Sequence, residues 1–169
     1  MSDSKSVYMC FSTDVIHSGH IEIINKAKKL GNLIIGVMSD EAVASYKRFP
    51  MLPFEERKTM FENIVGVSCV VEQKTLSYKN ILNDLKPDIV VHGDDWKNGI
   101  QKPLRDEVIL ILSSYGGELI EFPYSKNEKY DEIEKRTKME LSLPDFRRSR
   151  LKRLLGIKNS LLLWKLMME

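Results

Sequence analysis

Cysteine is nearly absent: Cys10 and Cys69 are the only two in 169 residues, and without a C-x-x-C pair they exclude a cysteine-built metal centre or disulfide framework. Both lie in apolar, strand-like runs, which predicts buried reduced thiols in a cytoplasmic protein. Long hydrophobic runs are missing too. The strongest near the end, Leu161–Met168, is broken by Lys165 and is far shorter than the ~20 residues that span a bilayer. The opening Met1-Ser2-Asp3-Ser4-Lys5 lacks the apolar stretch of a signal peptide. Low-complexity tracts are absent, and 43% hydrophobic with 30% charged residues excludes a disordered or collagen-like chain. The length suits one domain with a little to spare, at roughly 100–200 residues per domain.

The net charge of +2 conceals an asymmetry: residues 146–169 hold seven Lys/Arg and one acid, +6, so residues 1–145 sum to −4. A slightly acidic domain with a basic tail is not a generic nucleic-acid binder, and no membrane partner is expected either. The split predicts a domain at 1–145 and a basic, apolar tail at 146–169.

Strand and helix patterns alternate from the start. Val7–Phe11 is a short apolar run, followed by a helical stretch from about His17 to Leu30, where Ile21, Ile24, Ala27 and Leu30 recur at helical spacing before Gly31. Leu33–Met38 reads as a second strand, and Ser39-Asp40 can cap a helix to about Tyr46. The proline-bearing loop Lys47–Pro53 leads into a charged helix, Phe54–Asn63. Val67–Val71, Ile89–His92 and Glu118–Phe122 read as three more strands, with helices at Tyr78–Leu85 and Pro103–Tyr115 between them. Strands separated by helices pair in parallel through right-handed crossovers. The fold expected is therefore α/β: a Rossmann-like open parallel five-stranded sheet with helices on both faces, plus one or two C-terminal helices. Such sheets bind ligands at the carboxyl ends of their strands, which selects the loops 12–19, 39–53, 93–99 and 123–130.

The sharpest chemical signal is His17-Ser18-Gly19-His20, between the first strand and first helix. Gly19 lets a ligand approach the backbone, and the unpaired N–H groups and dipole of the helix start favour an anion. Two imidazoles three residues apart can both reach one phosphate. In the last loop, Ser125-x-x-Glu128 is a capping-box pattern, and Asn127 tolerates left-handed backbone geometry.

Ser12-Thr13-Asp14-Val15-Ile16-His17-Ser18-Gly19-His20 resembles the H-x-G-H signature of the nucleotidyltransferase superfamily, in its glycerol-3-phosphate cytidylyltransferase-like branch. Glu56-Arg57-Lys58 resembles that branch's E-R-K segment, and Gly93-Asp94-Asp95-Trp96 its more specific G-D-D-W motif. Thr13–His17, Ser39–Arg48 and Val91–Gly99 look closest to the cytidylyltransferase domains fused to phosphoenolpyruvate mutase in phosphonate-producing bacteria. The tail from Arg150 is similar to the start of the mutase domain, so a fused or partner mutase is expected. Two departures stand out. Phe11 occupies the neighbourhood of a usual family glycine, and Tyr124–Asp131 replaces the hydroxyl-rich phosphate-binding segment after Pro123.

The resemblance implies transfer of CMP from CTP to a small phosphonate, such as hydroxyethyl- or aminoethylphosphonate, with release of pyrophosphate and with Mg²⁺ carried mainly by the nucleotide phosphates. Glycerol 3-phosphate or a phosphorylated amino alcohol is an alternative acceptor, a non-catalytic nucleotide-binding regulatory module an alternative role, and a homodimer is possible. His17, His20 and Lys47 take the catalytic roles, the histidines as donors with one or both protonated. Ser12, Thr13, Asp14, Gly19 and Arg57 bind nucleotide from the first loop and third helix. His92, Gly93, Asp94, Asp95 and Trp96 bind it after the fourth strand, with Asn127 and Lys129 near the end.

Overall fold

Alternate residues of the first strand serve two different cores, and this divides the molecule into layers. In the computed structural model, which describes residues 4–47, 49–98, 101–123 and 132, β1 (Ser6–Phe11) is followed by α1 (Ser18–Ala27), β2 (Asn32–Met38), α2 (Asp40–Ala44) and α3 (Phe54–Glu62). Then come β3 (Val67–Gln73), α4 (Lys79–Leu85), β4 (Ile89–Gly93), a 3-10 turn at Asp94–Lys97, α5 (Lys102–Ser113) and β5 (Glu118–Phe122). Val7, Met9 and Phe11 pack with Ile24 and Ala27 of α1 and Phe61 of α3. Tyr8 points the other way, with Leu82 of α4 and Val108 and Leu112 of α5. The period-two reversal of side chains along a strand produces both faces.

All pairings are parallel, in the order β3-β2-β1-β4-β5. The sheet is thus the Rossmann-like five-stranded arrangement expected, with helices on both faces. The connections leaving β1 and β4 diverge, which opens a crevice between their carboxyl ends. All of these elements belong to one unit, Met1–Ser125. The 145/146 boundary and the C-terminal helices lie outside the described residues. No helix among the described residues is long and apolar enough to cross a membrane.

Two local features shape what lies beneath the crevice. Gly36, inside β2, leaves room for the Tyr8 hydroxyl, since a Cβ there would stand 1.9 Å from that oxygen. Tyr8 Oη donates to Gln73 Oε1 at 2.6 Å, tying β1 to β3 across β2. α1 ends at Ala27 rather than Leu30 because its last N–H groups tighten: Lys29 donates to Lys26 and Leu30 to Ala27. The thiols correct one expectation. Cys10 is half-buried, but Cys69 is exposed, because β3 is an edge strand whose register shifts opposite Leu33/Ile34 and turns Ser68 and Cys69 both outward.

Candidate active site

His17 is the N-cap of α1, in extended geometry, and its Nδ1 accepts the Gly19 N–H at 3.1 Å. His20 closes a reciprocal capping box through a long hydrogen bond, 3.4 Å, from the His17 N–H to its own Nδ1. The rings stack at 3.8 Å, and the His20 ring stands edge-on to Phe11. Phe11 in turn stacks on Phe61. Because Nδ1 of His17 is an acceptor, its neutral ring carries the proton on Nε2.

The expectation of protonated histidines is corrected. Burial lowers the pKa of His17. His20 is brought down to about 4 by burial first, then by the nearby His17 and Lys47, against a hydrogen bond to the Val15 backbone. In both rings the shift is toward the neutral form.

Lys47, just beyond α2, reaches back to β1: its Nζ donates to Ser12 Oγ at 3.0 Å and lies over the Tyr46 ring. Its positive charge lowers the pKa of both His20, after β1, and His92, at the end of β4. One ammonium group is thus within electrostatic reach of imidazoles from both β1 and β4. Thr13 makes a local turn, accepting from the Val15 N–H and donating to the Val15 carbonyl. Buried Asp14 accepts the N–H of Met51, bracing the first loop against the 47–53 loop. Asp14 is therefore a link between two site loops rather than an exposed acid.

Arg57 is a second correction. It is fully buried, with Nη2 donating to Asp40 Oδ1 at 2.7 Å and Nε to the Leu52 carbonyl at 3.1 Å. A helix residue expected to bind the nucleotide instead ties α3 to α2 and to the end of the 47–53 loop. Sequence reading missed Asp40 as its partner, although an acid at the first position of a Ser-capped helix was a visible signal.

On the far side of the crevice, Gly93 ends β4 and starts the turn bearing Asp94, Asp95 and Trp96. His92 Nδ1 donates to the Gly93 carbonyl at 2.8 Å, which leaves Nε2 as acceptor in the neutral ring. Burial lowers the pKa of His92, opposed by the Gly93 hydrogen bond, Asp95 and Glu121. Trp96 does not line the pocket: it is 1% exposed and lies flat beneath His92, rings 3.7 Å apart and 8° from parallel. Its Nε1 donates to Glu121 Oε1 at 2.7 Å. Glu121 was also missed in the sequence, where an acid inside the apolar strand Glu118–Phe122 was the available sign. Asn127 and Lys129 lie outside the described residues, and so does the capping-box pattern at 125–128.

The fold thus brings His17, His20, Ser12, Lys47 and His92 to one crevice, with Asp94 and Asp95 beside it, and keeps Arg57 and Trp96 beneath it. Chemically, one ammonium group, hydrogen-bonding imidazoles and a helix N-terminus can receive an anion, and the neighbouring turn offers acidic hydrogen-bond acceptors.

Comparison with known proteins agrees with that geometry. Residues 10–134 match the family model described as cytidylyltransferase-like. The chain is 33% identical over 95 residues to the ethanolamine-phosphate cytidylyltransferase of Arabidopsis thaliana, covering 53% of this chain and 23% of that protein. It is 32% identical over 115 residues to the bifunctional protein HldE of Hahella chejuensis, covering 65% of this chain and 22% of that one. The chain therefore spans less than a quarter of the length of these two relatives. Among solved structures, the lipopolysaccharide core biosynthesis protein from Thermoplasma volcanium superposes with a TM-score of 0.60 at 22% identity, over 73% of this chain and 98% of that one; that likeness is one of fold. With the family model spanning both sides of the crevice, the chain belongs to the cytidylyltransferase-like family.

Proposed function

We propose that this protein transfers CMP from CTP to a small phosphonate, of the hydroxyethyl- or aminoethylphosphonate kind, and releases pyrophosphate by direct in-line attack on the α-phosphorus. The observation that carries the reading is the Lys47 ammonium bonded to Ser12 Oγ beside the His17–His20 pair at the start of α1, at the switch point of a parallel sheet.

The chemical difficulty is repulsion between two anions. Each like-charge pair at ~4 Å costs about 4 kcal/mol at an effective dielectric of 20. Lys47 and the α1 N-terminus oppose that repulsion directly, while the neutral histidines donate hydrogen bonds to oxygens where charge grows in the transition state. A phosphate-type nucleophile with a second pKa near ~6 needs no general base, and two imidazoles whose Nδ1 atoms already accept backbone N–H groups present Nε2–H for donation. Among the described residues no group of three His, Cys, Asp or Glu could hold a metal ion. In this reading Mg²⁺ enters on the triphosphate, where it neutralises charge. Asp94 and Asp95 would accept hydrogen bonds from the cytosine amino group or ribose hydroxyls.

A second reading, transfer to a phosphorylated amino alcohol, is favoured by the likeness to the Arabidopsis ethanolamine-phosphate cytidylyltransferase. Pyrophosphate release is followed with each nucleoside triphosphate, Mg²⁺, and a panel of phosphonates, ethanolamine phosphate and glycerol 3-phosphate. Turnover with CTP and a phosphonate is expected. Turnover only with the phosphate esters selects the second reading, and CTP binding without any turnover makes the chain a regulatory nucleotide-binding module.

A further inference from the structure

In the turn Asp94–Lys97, which starts at Gly93, Trp96 is buried and sets the plane on which His92 lies. Its indole N–H is held from another strand. Glu121 is the partner of His92 in the parallel β4–β5 register, so both side chains leave the sheet on the same face. The Glu121 carboxylate is 11% exposed. Its Oε1 accepts from Trp96 Nε1 at 2.7 Å and from Arg105 Nε at 2.9 Å, and its Oε2 accepts from Arg105 Nη2 at 2.9 Å. Lys97, from the turn itself, stands 3.6 Å from Oε2. β5, α5 and the turn therefore converge on one side chain. Two parallel bonds from a guanidinium fix a carboxylate in orientation as well as position.

We propose that Glu121 is a positioning residue of the nucleotide pocket: held by Arg105, it anchors the Trp96 indole, and through that ring sets His92 and the Asp94-Asp95 turn against the incoming nucleotide. The inference rests on the reading that this turn receives the nucleotide. It adds to that reading a residue from β5 that touches neither base nor phosphate. The hydrogen bonds from Arg105 hold the Glu121 pKa at about 2, with those from Trp96 and the charge of Lys97 adding to the effect. The anchor is thus ionised throughout the working pH range. A neutral glutamine keeps the shape but turns an N–H₂ group toward Arg105 or Trp96, so one donor is left unmatched.

The test uses Glu121→Gln in a Trp164→Phe background, which leaves Trp96 as the only indole of the two in the chain. A protonated imidazole stacked on an indole quenches its fluorescence, so emission against pH reports His92 directly. The groups that bear on His92 are Asp95 from the turn, Glu121 from β5 and Lys47 from the loop after α2. Removing the Glu121 charge should move the quenching midpoint to lower pH. KM for CTP should rise about tenfold, as expected for one mispaired buried polar group, while kcat changes less than about threefold. Arg105→Met, which frees the carboxylate but leaves it on Trp96, should raise KM by a smaller factor, and it decides the question if Glu121→Gln does not fold. An unchanged midpoint with unchanged KM, or a loss confined to kcat, overturns the proposal. If the unsubstituted protein does not turn over CTP, the functional reading fails, whereas the fluorescence titration still decides whether Glu121 holds the stack.

Discussion

Replacing Lys47 with Met tests the electrostatic core of the reading. The ammonium group lies 3.0 Å from Ser12 Oγ, and a phosphate oxygen taking the place of that hydroxyl would meet the charge at hydrogen-bond range. A full unit-charge interaction at ~4 Å and an effective dielectric of 20 is about 4 kcal/mol, or roughly a thousandfold in rate. Lys47 is exposed before a ligand covers it, and screening reduces that ceiling. The expected loss in kcat/KM for CTP is therefore about 10²-fold, measured by pyrophosphate release with the acceptor that turns over best. A second readout is independent of turnover. Because the Lys47 charge lowers the pKa of both His20 and His92, the methionine variant should titrate both imidazoles at higher pH by NMR. A loss smaller than about threefold, with both titrations unmoved, would refute a shared cation between the two halves of the crevice.

Three further outcomes follow from the same geometry. His17→Ala or His20→Ala should lower kcat by about 10²–10³, the range for one lost transition-state donor, with parallel losses in kcat and kcat/KM; a change in KM alone would contradict the role. Asp40→Ala should strand the fully buried Arg57 charge and destabilise the fold by about 3–5 kcal/mol, read as a fall in urea midpoint, because Arg57 is part of the frame. His20 titrates at about 4 when folded and near ~6.5 when unfolded, so the unfolded chain binds more protons between those values. The stability associated with its neutral form is present above ~6.5 and is lost as pH falls toward 4. Urea titrations of His20→Gln should show a shallower loss of stability across that window than the unsubstituted protein.

Much was legible without coordinates, for reasons that differ by residue. The alternation of short apolar runs with 3.6-period segments determines parallel strands and covering helices, and the observed β5 has the expected bounds, Glu118–Phe122. His17-Ser18-Gly19-His20 announced itself because a strand end, a helix start and two histidines coincide locally. The Asp94–Trp96 turn was visible for the same reason, since it directly follows a strand. What sequence could not decide was which polar side chains from distant segments meet. Arg57 and Asp40 lie 17 positions apart, Trp96 and Glu121 25, and Lys47 and Ser12 35; no local period links them. Nor could it decide protonation, since the neutral state of His20 follows from burial and from its neighbours His17 and Lys47. Sequence determined which loops lie at the carboxyl end of the sheet, because helix starts and strand ends are local events. Tertiary packing decided which side chains open onto the crevice and which stand behind them, because burial and charge pairing exist only once distant segments are brought together.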